Sequence, residues 1–289
     1  MITRYKRVKS APFLRGFDEL RIPVLDNATR PTWPERFSLE KIKEIRIRSG
    51  NRKFSSQMLL QPVTLSEGIL NPNHFNIYQN DLRYIESNGK FKLYLGDIEL
   101  THVNCFWDPA FGKTGRDNSV LAIIFWDALG KMYIQEVIYL KVHNTNDSAH
   151  EQCTQVLEIM EKNFVTHIHI ETNGIGAFLV EFMRKYSQEK GQMITIQPWH
   201  QKQKKSERIL DAFDAPLHAG FLLLHQSVTQ TFFLQEMEEF SPENVNGKDD
   251  GLDAVAGAIL TPNKPIPTRH PNNKVKQSAY TVDTSGFKV

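Results

Sequence analysis

Cysteine is nearly absent from this chain. Cys105 and Cys153 are the only two in 289 residues, and they form no CxxC spacing and no Cys/His cluster. That argues against a disulfide framework and against a structural zinc site. Long apolar runs are missing too, since no stretch approaches the roughly 18 residues a membrane span requires. The charged start MITRYKRVKS has no apolar stretch behind it, so neither insertion nor secretion is indicated and a reducing, cytoplasmic setting is expected. Net charge is also small, +2 at neutral pH, too little to announce a polyanionic partner by itself. The basic residues do cluster locally, at Arg4, Lys6, Arg7 and Lys9, at Lys202, Lys204, Lys205 and Arg208, and in the C-terminal tail. Solvated surface explains any one of these runs on its own.

The hydrophobic pattern supplies an order of elements. Residues 1 to about 37 carry Pro12, Pro23, Pro31 and Pro34 without a sustained period and read as extended chain. SLEKIKEIRIR, opening at Ser38, has helical spacing. FNIYQNDLRYIE and KFKLYLGDIELTHV alternate on either side of Ser87-Asn88-Gly89, which predicts a hairpin. HVNCFWD, SVLAIIFWD and KMYIQEVIYL then predict three antiparallel strands, the last two joined by a tight turn at Ala128-Leu129-Gly130. A helix over about 147–162 follows, then the strand VTHIHIE, a helix over about 175–189 and the strand MITIQP. Helices over about 203–218 and 228–239, with the short strand FLLLH between them, precede a last helix starting near Asp249. From Pro262 onward the composition predicts a structureless tail. The order βββαβαβ implies an α/β fold with a mixed five-stranded sheet and helices on its faces. A right-handed crossover sets VTHIHIE parallel to and beside HVNCFWD.

That pairing brings two acids to one edge, because the first strand ends at Asp108 and the fourth at Glu171, where ligand sites form in open α/β sheets. Each acid alone has a plainer explanation, Asp108 as a turn former before Pro109 and Glu171 as a solvated strand end. The third element is DDGLDAVAGAIL, in which Asp250, Asp253, Ala254 and Gly257 share one helical face and Leu252, Val255, Ala256 and Ile259 the opposite one. Helix capping by Asp249 or Asp250 accounts for one acid but not for Asp253 a turn later. Hard oxygen donors without cysteine suit Mg²⁺ or Mn²⁺. Two such ions would activate water and stabilise a leaving oxygen on a phosphodiester. On this reading Asp108 bridges the ions, Glu171 and Asp250 complete their coordination, and Asp253 is a fourth ligand or supports from behind. His167 and His169 alternate with Glu171 and offer a zinc or manganese alternative that lacks a third soft ligand.

FWDPAFGKTGRDNSVLAI, HIHIETNGIGAFLVEF, KKSERIL and FLQEMEEFSPENVNGKDDGLDAVAGAI, in this order and spacing, resemble the nuclease domain of the large terminase subunit of tailed phages, in its prophage-encoded form. WPERFSLEKIKEIRIRSGNRKFSSQMLLQPV is similar to the family segment that joins the ATPase to the nuclease. The resemblance implies a ribonuclease H-like fold, an acidic metal site at Asp108, Glu171, Asp250 and Asp253, and cutting of double-stranded DNA during genome packaging. It also implies a division into a connecting segment (1–60), a hairpin linker (61–100), the nuclease domain (101–262) and a disordered tail (263–289). It places Lys202, Lys204, Lys205 and Arg208 at a basic helix start that could hold DNA phosphate. Implied partners are the portal protein, the small subunit and a separate motor chain, in the cytoplasm of a bacterial host. The family's Walker A loop has no counterpart: Gly112-Lys113-Thr114 would need glycine at position 107, which is Trp107. ATP hydrolysis is therefore not expected of this chain. A resolvase-like nuclease of the same fold and a non-catalytic docking module are the competing readings.

Overall fold

The structure is a computed structural model and describes residues 20–26, 28–61, 70–110, 118–143, 147–173, 176–242 and 247–270. Its centre is β5 (Val120–Asp127), an apolar run buried on both faces as a strand covered from two sides must be. β4 (Ile98–Asp108) and β6 (Met132–Tyr139) flank it, both antiparallel to it. The chain then crosses over through α2 (Ser148–Lys162), and β7 (His167–Glu171) returns parallel to β4, with Phe106 opposite His169 and Trp107 opposite Ile170. After α3 (Gly176–Glu189), β8 (Thr195–Trp199) pairs parallel to β7. The order β6-β5-β4-β7-β8 is the mixed five-stranded sheet that βββαβαβ implies.

Five more strands extend the sheet to ten. β1 (Asn76–Tyr78) and β9 (Leu222–His225) continue it beyond β6. β2 (Leu82–Ser87) and β3 (Lys90–Leu95) form the expected hairpin, with positive φ at Asn88 and Gly89 as its two-residue turn requires. KFKLYLGDIELTHV, expected as one strand, is two. Gly96, with φ 59°, and Asp97 make a second tight turn, so β3 folds back on β4 and the hairpin belongs to the main sheet. Residues 264–270, expected to be structureless, follow the same sheet: β10 (Lys264–Pro265) pairs with His102 and Val103 of β4, and the Phe91 amide donates to Thr268 O. β4 opposes β5 along one edge, and β3, β10 and β7 share its other edge in turn.

Alternation along β4 decides what lies where. Cys105 and Trp107 point to the face covered by α2 and α3, and Phe106 points to the opposite face. On that second face lie α4 (Lys205–His218), α5 (Phe233–Glu239) and α6 (Asp250–Leu260). α1 (Leu39–Lys53) packs outside them against α4. Asp108, two residues beyond Phe106, therefore looks toward α6.

α6 is buried along almost its whole length, and its small-residue stripe has a packing reason. A Cβ at Gly257 would stand 2.5 Å from Cε1 of the fully buried Phe106, so the stripe lets the helix lie directly on the sheet. The face bearing Asp253 and Gly257 is thus the sheet-facing one. Gly257→Ala is expected to destabilise the protein by about 1–3 kcal/mol through overpacking, read as a lower urea midpoint at unchanged slope.

Candidate metal centre

Three carboxylates converge where β4, β7 and α6 meet. One oxygen each from Asp108, Glu171 and Asp253 lies within 4.8 Å of the others. Asp108 is partly exposed, Glu171 is at the border between partly exposed and buried, and Asp253 is buried. Burial holds the Asp108 carboxyl well above the usual carboxylate range, and the charges of Glu171 and Asp253 push it further. Glu171 is raised as well, by burial first, with Arg208 opposing and Asp253 reinforcing the rise. Its Oε2 is buried without a hydrogen-bond partner among the described residues. Buried, mutually repelling, incompletely satisfied oxygens of this kind fit a hard divalent cation.

Asp250, expected beside them, stands outside the group. Its Oδ2 accepts from the backbone amide of Asn118 at 2.9 Å and from Asn118 Nδ2 at 3.3 Å, and its Oδ1 faces Lys205 Nζ at 3.2 Å. Nor does either neighbouring acid cap the helix with its side chain: Glu236 Oε2, reaching over from α5, accepts from the amides of Gly251 and Leu252 at 2.8 and 3.2 Å. This cap comes from 15 residues upstream, beyond the reach of a local capping rule. It also explains Gly251, where a Cβ would stand 2.1 Å from the Tyr139 hydroxyl and 2.8 Å from Glu236 Oε2.

The four basic residues divide into two pairs. Lys202 and Lys204 precede α4 and are exposed. Lys205 and Arg208, one turn apart, share the inward face of α4 with Ile209 and Ala212. Lys205 Nζ lies 2.6 Å from Asp249, 3.2 Å from Asp250 and 3.7 Å from Asp253. Burial alone would pull its pKa down, but Asp253, Asp249 and Asp250 outweigh burial and hold the ammonium above the ordinary lysine value. Arg208 is 3% exposed and cannot present a surface for DNA phosphate. Its Nε donates to Asp253 Oδ1 at 2.7 Å, its Nη2 contacts the same oxygen, and Nη2 lies 3.7 Å from Glu171 Oε2.

Below the carboxylates, the two histidines are engaged elsewhere. His169 Nδ1 lies 2.9 Å and His167 Nε2 3.3 Å from Asn104 Oδ1, which can only accept, so both ring nitrogens act as donors. The Asn104 amide in turn donates to Ala258 O at 2.8 Å and lies 2.6 Å from Thr261 Oγ1, tying β7 through β4 to the end of α6. A zinc site formed by these histidines with Glu171 is not what the geometry shows. Burial, then the neighbouring His169 and Lys264, push His167 down to about 3. Below pH 6.5 the unfolded chain takes up a proton that the folded one refuses, so stability falls as pH drops from 6.5 toward 3. His167→Gln should remove up to about 1.4 kcal/mol per pH unit of that slope. The check is the difference between variant and wild-type unfolding curves, which cancels the other titrating groups.

Gly176 opens α3 where a Cβ would stand 1.9 Å from the carbonyl oxygen of Glu171, so glycine is needed there for close backbone approach, with no phosphate required. Trp107 is core, its Nε1 donating to Ser119 Oγ at 2.8 Å, and Trp126 and Trp199 pack at the edge of the other core cluster. The N-terminal basic run, Gly112-Lys113-Thr114 and the basic tail lie outside the described residues. Among the described residues no helix is long and apolar enough to cross a membrane.

No curated protein matches the chain. Among solved structures, the chain is similar to the human cytomegalovirus terminase nuclease domain, Mn soaked and inhibitor bound, at 13% identity, with 54% of this chain and 80% of that one covered and a TM-score of 0.40. The nuclease domain of the large terminase subunit gp2 of bacterial virus Sf6 aligns at 14% identity over 56% of this chain and 89% of that one, TM-score 0.39. T. thermophilus RuvC in complex with a Holliday junction substrate aligns at 12% identity over 56% and 99%, TM-score 0.32. The family model for the terminase RNaseH-like domain matches residues 105–261, from the middle of β4 to the end of α6, and the chain belongs to this family.

Proposed function

We propose that the chain is a divalent-metal-dependent endonuclease that cuts double-stranded DNA during phage genome packaging. The observation that carries this reading is the convergence of Asp108, Glu171 and Asp253 at the carboxyl ends of two parallel strands and on a buried helix. Asp108, Glu171 and Asp253 would hold Mg²⁺ or Mn²⁺, as a pair of ions, with Asp249 and Asp250 adding negative charge from the start of α6. Such ions supply an activated water and stabilisation of the leaving oxygen. The chain's own contribution is to fix the carboxylates on three elements. Lys202 and Lys204, exposed just before α4, would hold backbone phosphate. Contacts to backbone phosphate carry no sequence information, so little sequence preference is expected.

The test is incubation of supercoiled plasmid with purified protein and Mg²⁺, Mn²⁺ or a chelator. Nicked and linear products are expected with either ion and none with the chelator. Plasmid left intact under all conditions, with no Mn²⁺ bound, would favour a docking module that engages the portal, the small subunit or a motor chain. Cutting confined to branched DNA would favour a resolvase-like enzyme of the same fold.

A further inference from the structure

The feature that the proposed chemistry leaves unused is the guanidinium of Arg208. Among the described residues it is one of the few charged groups that are almost wholly buried. Burying an arginine is costly, and an apolar side chain of similar volume would fill the same place on α4 at no such cost. Simple neutralisation of the acids does not require it either, because Lys205 already brings a positive charge to Asp249, Asp250 and Asp253. What Arg208 adds is geometry. Nε and Nη2 both reach Oδ1 of Asp253, leaving Oδ2 outside the fork, and Nη2 also lies 3.7 Å from Oε2 of Glu171. Two rigidly linked N–H donors converging on one oxygen hold that oxygen in place, as a flexible ammonium does not, and leave the other oxygen outside the contact. The two acids come from different elements, α6 and β7, and α4 brings one positive charge within hydrogen-bond reach of the first and within ion-pair distance of the second.

We infer that Arg208 is a positioning residue for the metal centre: it fixes the Asp253 carboxylate and its spacing from Glu171, so that both are presented as preformed ligands. The inference rests on the nuclease reading above. Partners of ligating groups typically contribute ten- to a hundredfold in metal affinity, and that sets the expected size of the effect.

Arg208→Lys is the decisive variant, because it keeps the positive charge and removes the fork. Arg208→Met leaves Asp253 buried beside one fewer cation and risks misfolding. With the full chain, titration calorimetry with Mn²⁺ alone should show binding weakened about tenfold or more in Arg208→Lys. The half-saturating Mn²⁺ in plasmid cleavage should shift by the same factor, while KM for DNA stays as in the wild type, since Arg208 does not reach the surface. A thermal melt establishes that the variant is folded at the temperature used. Mn²⁺ affinity equal to or tighter than that of the wild type, even with a lowered melting temperature, would overturn the inference and leave Arg208 a structural residue. A wild-type chain that binds no Mn²⁺ would overturn the nuclease reading itself, and this inference with it.

Discussion

Asp108→Asn is expected to lower divalent-dependent cleavage by about 10³-fold or more, some 4 kcal/mol of barrier, while the chain stays folded. Asparagine keeps the shape of the side chain at the end of β4 and removes only its capacity for negative charge. In the metal-free protein that charge is disfavoured already, by burial and by Glu171 and Asp253. Its removal should therefore leave the urea midpoint in chelator within about 1 kcal/mol of the wild type, or above it. The two states part when metal is added. Mn²⁺ should raise the melting temperature of the wild type by mass action, and should raise that of the variant much less. Plasmid cleavage and melting with and without Mn²⁺, on the same preparations, check all three statements. A variant that retains more than a tenth of the cleavage rate would remove Asp108 from the centre of the site.

The pairing behind this expectation is legible in the sequence. HVNCFWD and VTHIHIE each end an apolar run with an acid, and a right-handed crossover admits one placement of the second strand beside the first. The five central strands follow from the same reasoning, because each is a short apolar or alternating run and their connections are short or helical. What was not legible depends on which side of an element turns inward. Lys205 and Arg208 read as a basic surface run, yet their spacing with Ile209 and Ala212 on one helical stripe marks a buried face. Gly257 carries no sign in the sequence of what lies against it, and the structure sets Phe106 there. The Gly96-Asp97 turn shows in the sequence only as a change of phase, since Phe91, Leu93 and Leu95 are followed by Ile98 and Leu100, which pair back across a two-residue turn. Glu236 offers no local signal at all as the cap of α6, because its partners lie in another helix.

The two acids of α6, alike in the sequence, stand in different surroundings because of the helix's phase on the sheet. Asp253 is four residues before Gly257, which rests on Phe106, so it shares the stripe that faces β4 and lies beside Asp108 and Glu171. Asp250 lies at the start of the helix, where its oxygens are occupied by Asn118 and Lys205. Asp253→Asn should thus remove cleavage to about the same extent as Asp108→Asn, and it should also cost stability, because Arg208 loses its charged partner in a buried setting, about 3 kcal/mol or more in chelator. Asp250→Asn keeps a side-chain oxygen that can accept from the Asn118 amide and removes one charge from beside Lys205 and the neighbouring acids, so cleavage should stay within about tenfold of the wild type. The two effects are read together from plasmid cleavage rates at saturating Mn²⁺ and urea unfolding in chelator. Equal losses of cleavage in both variants would mean that Asp250 turns toward the ions when they bind, and that the metal-free arrangement around Asn118 and Lys205 is a resting state.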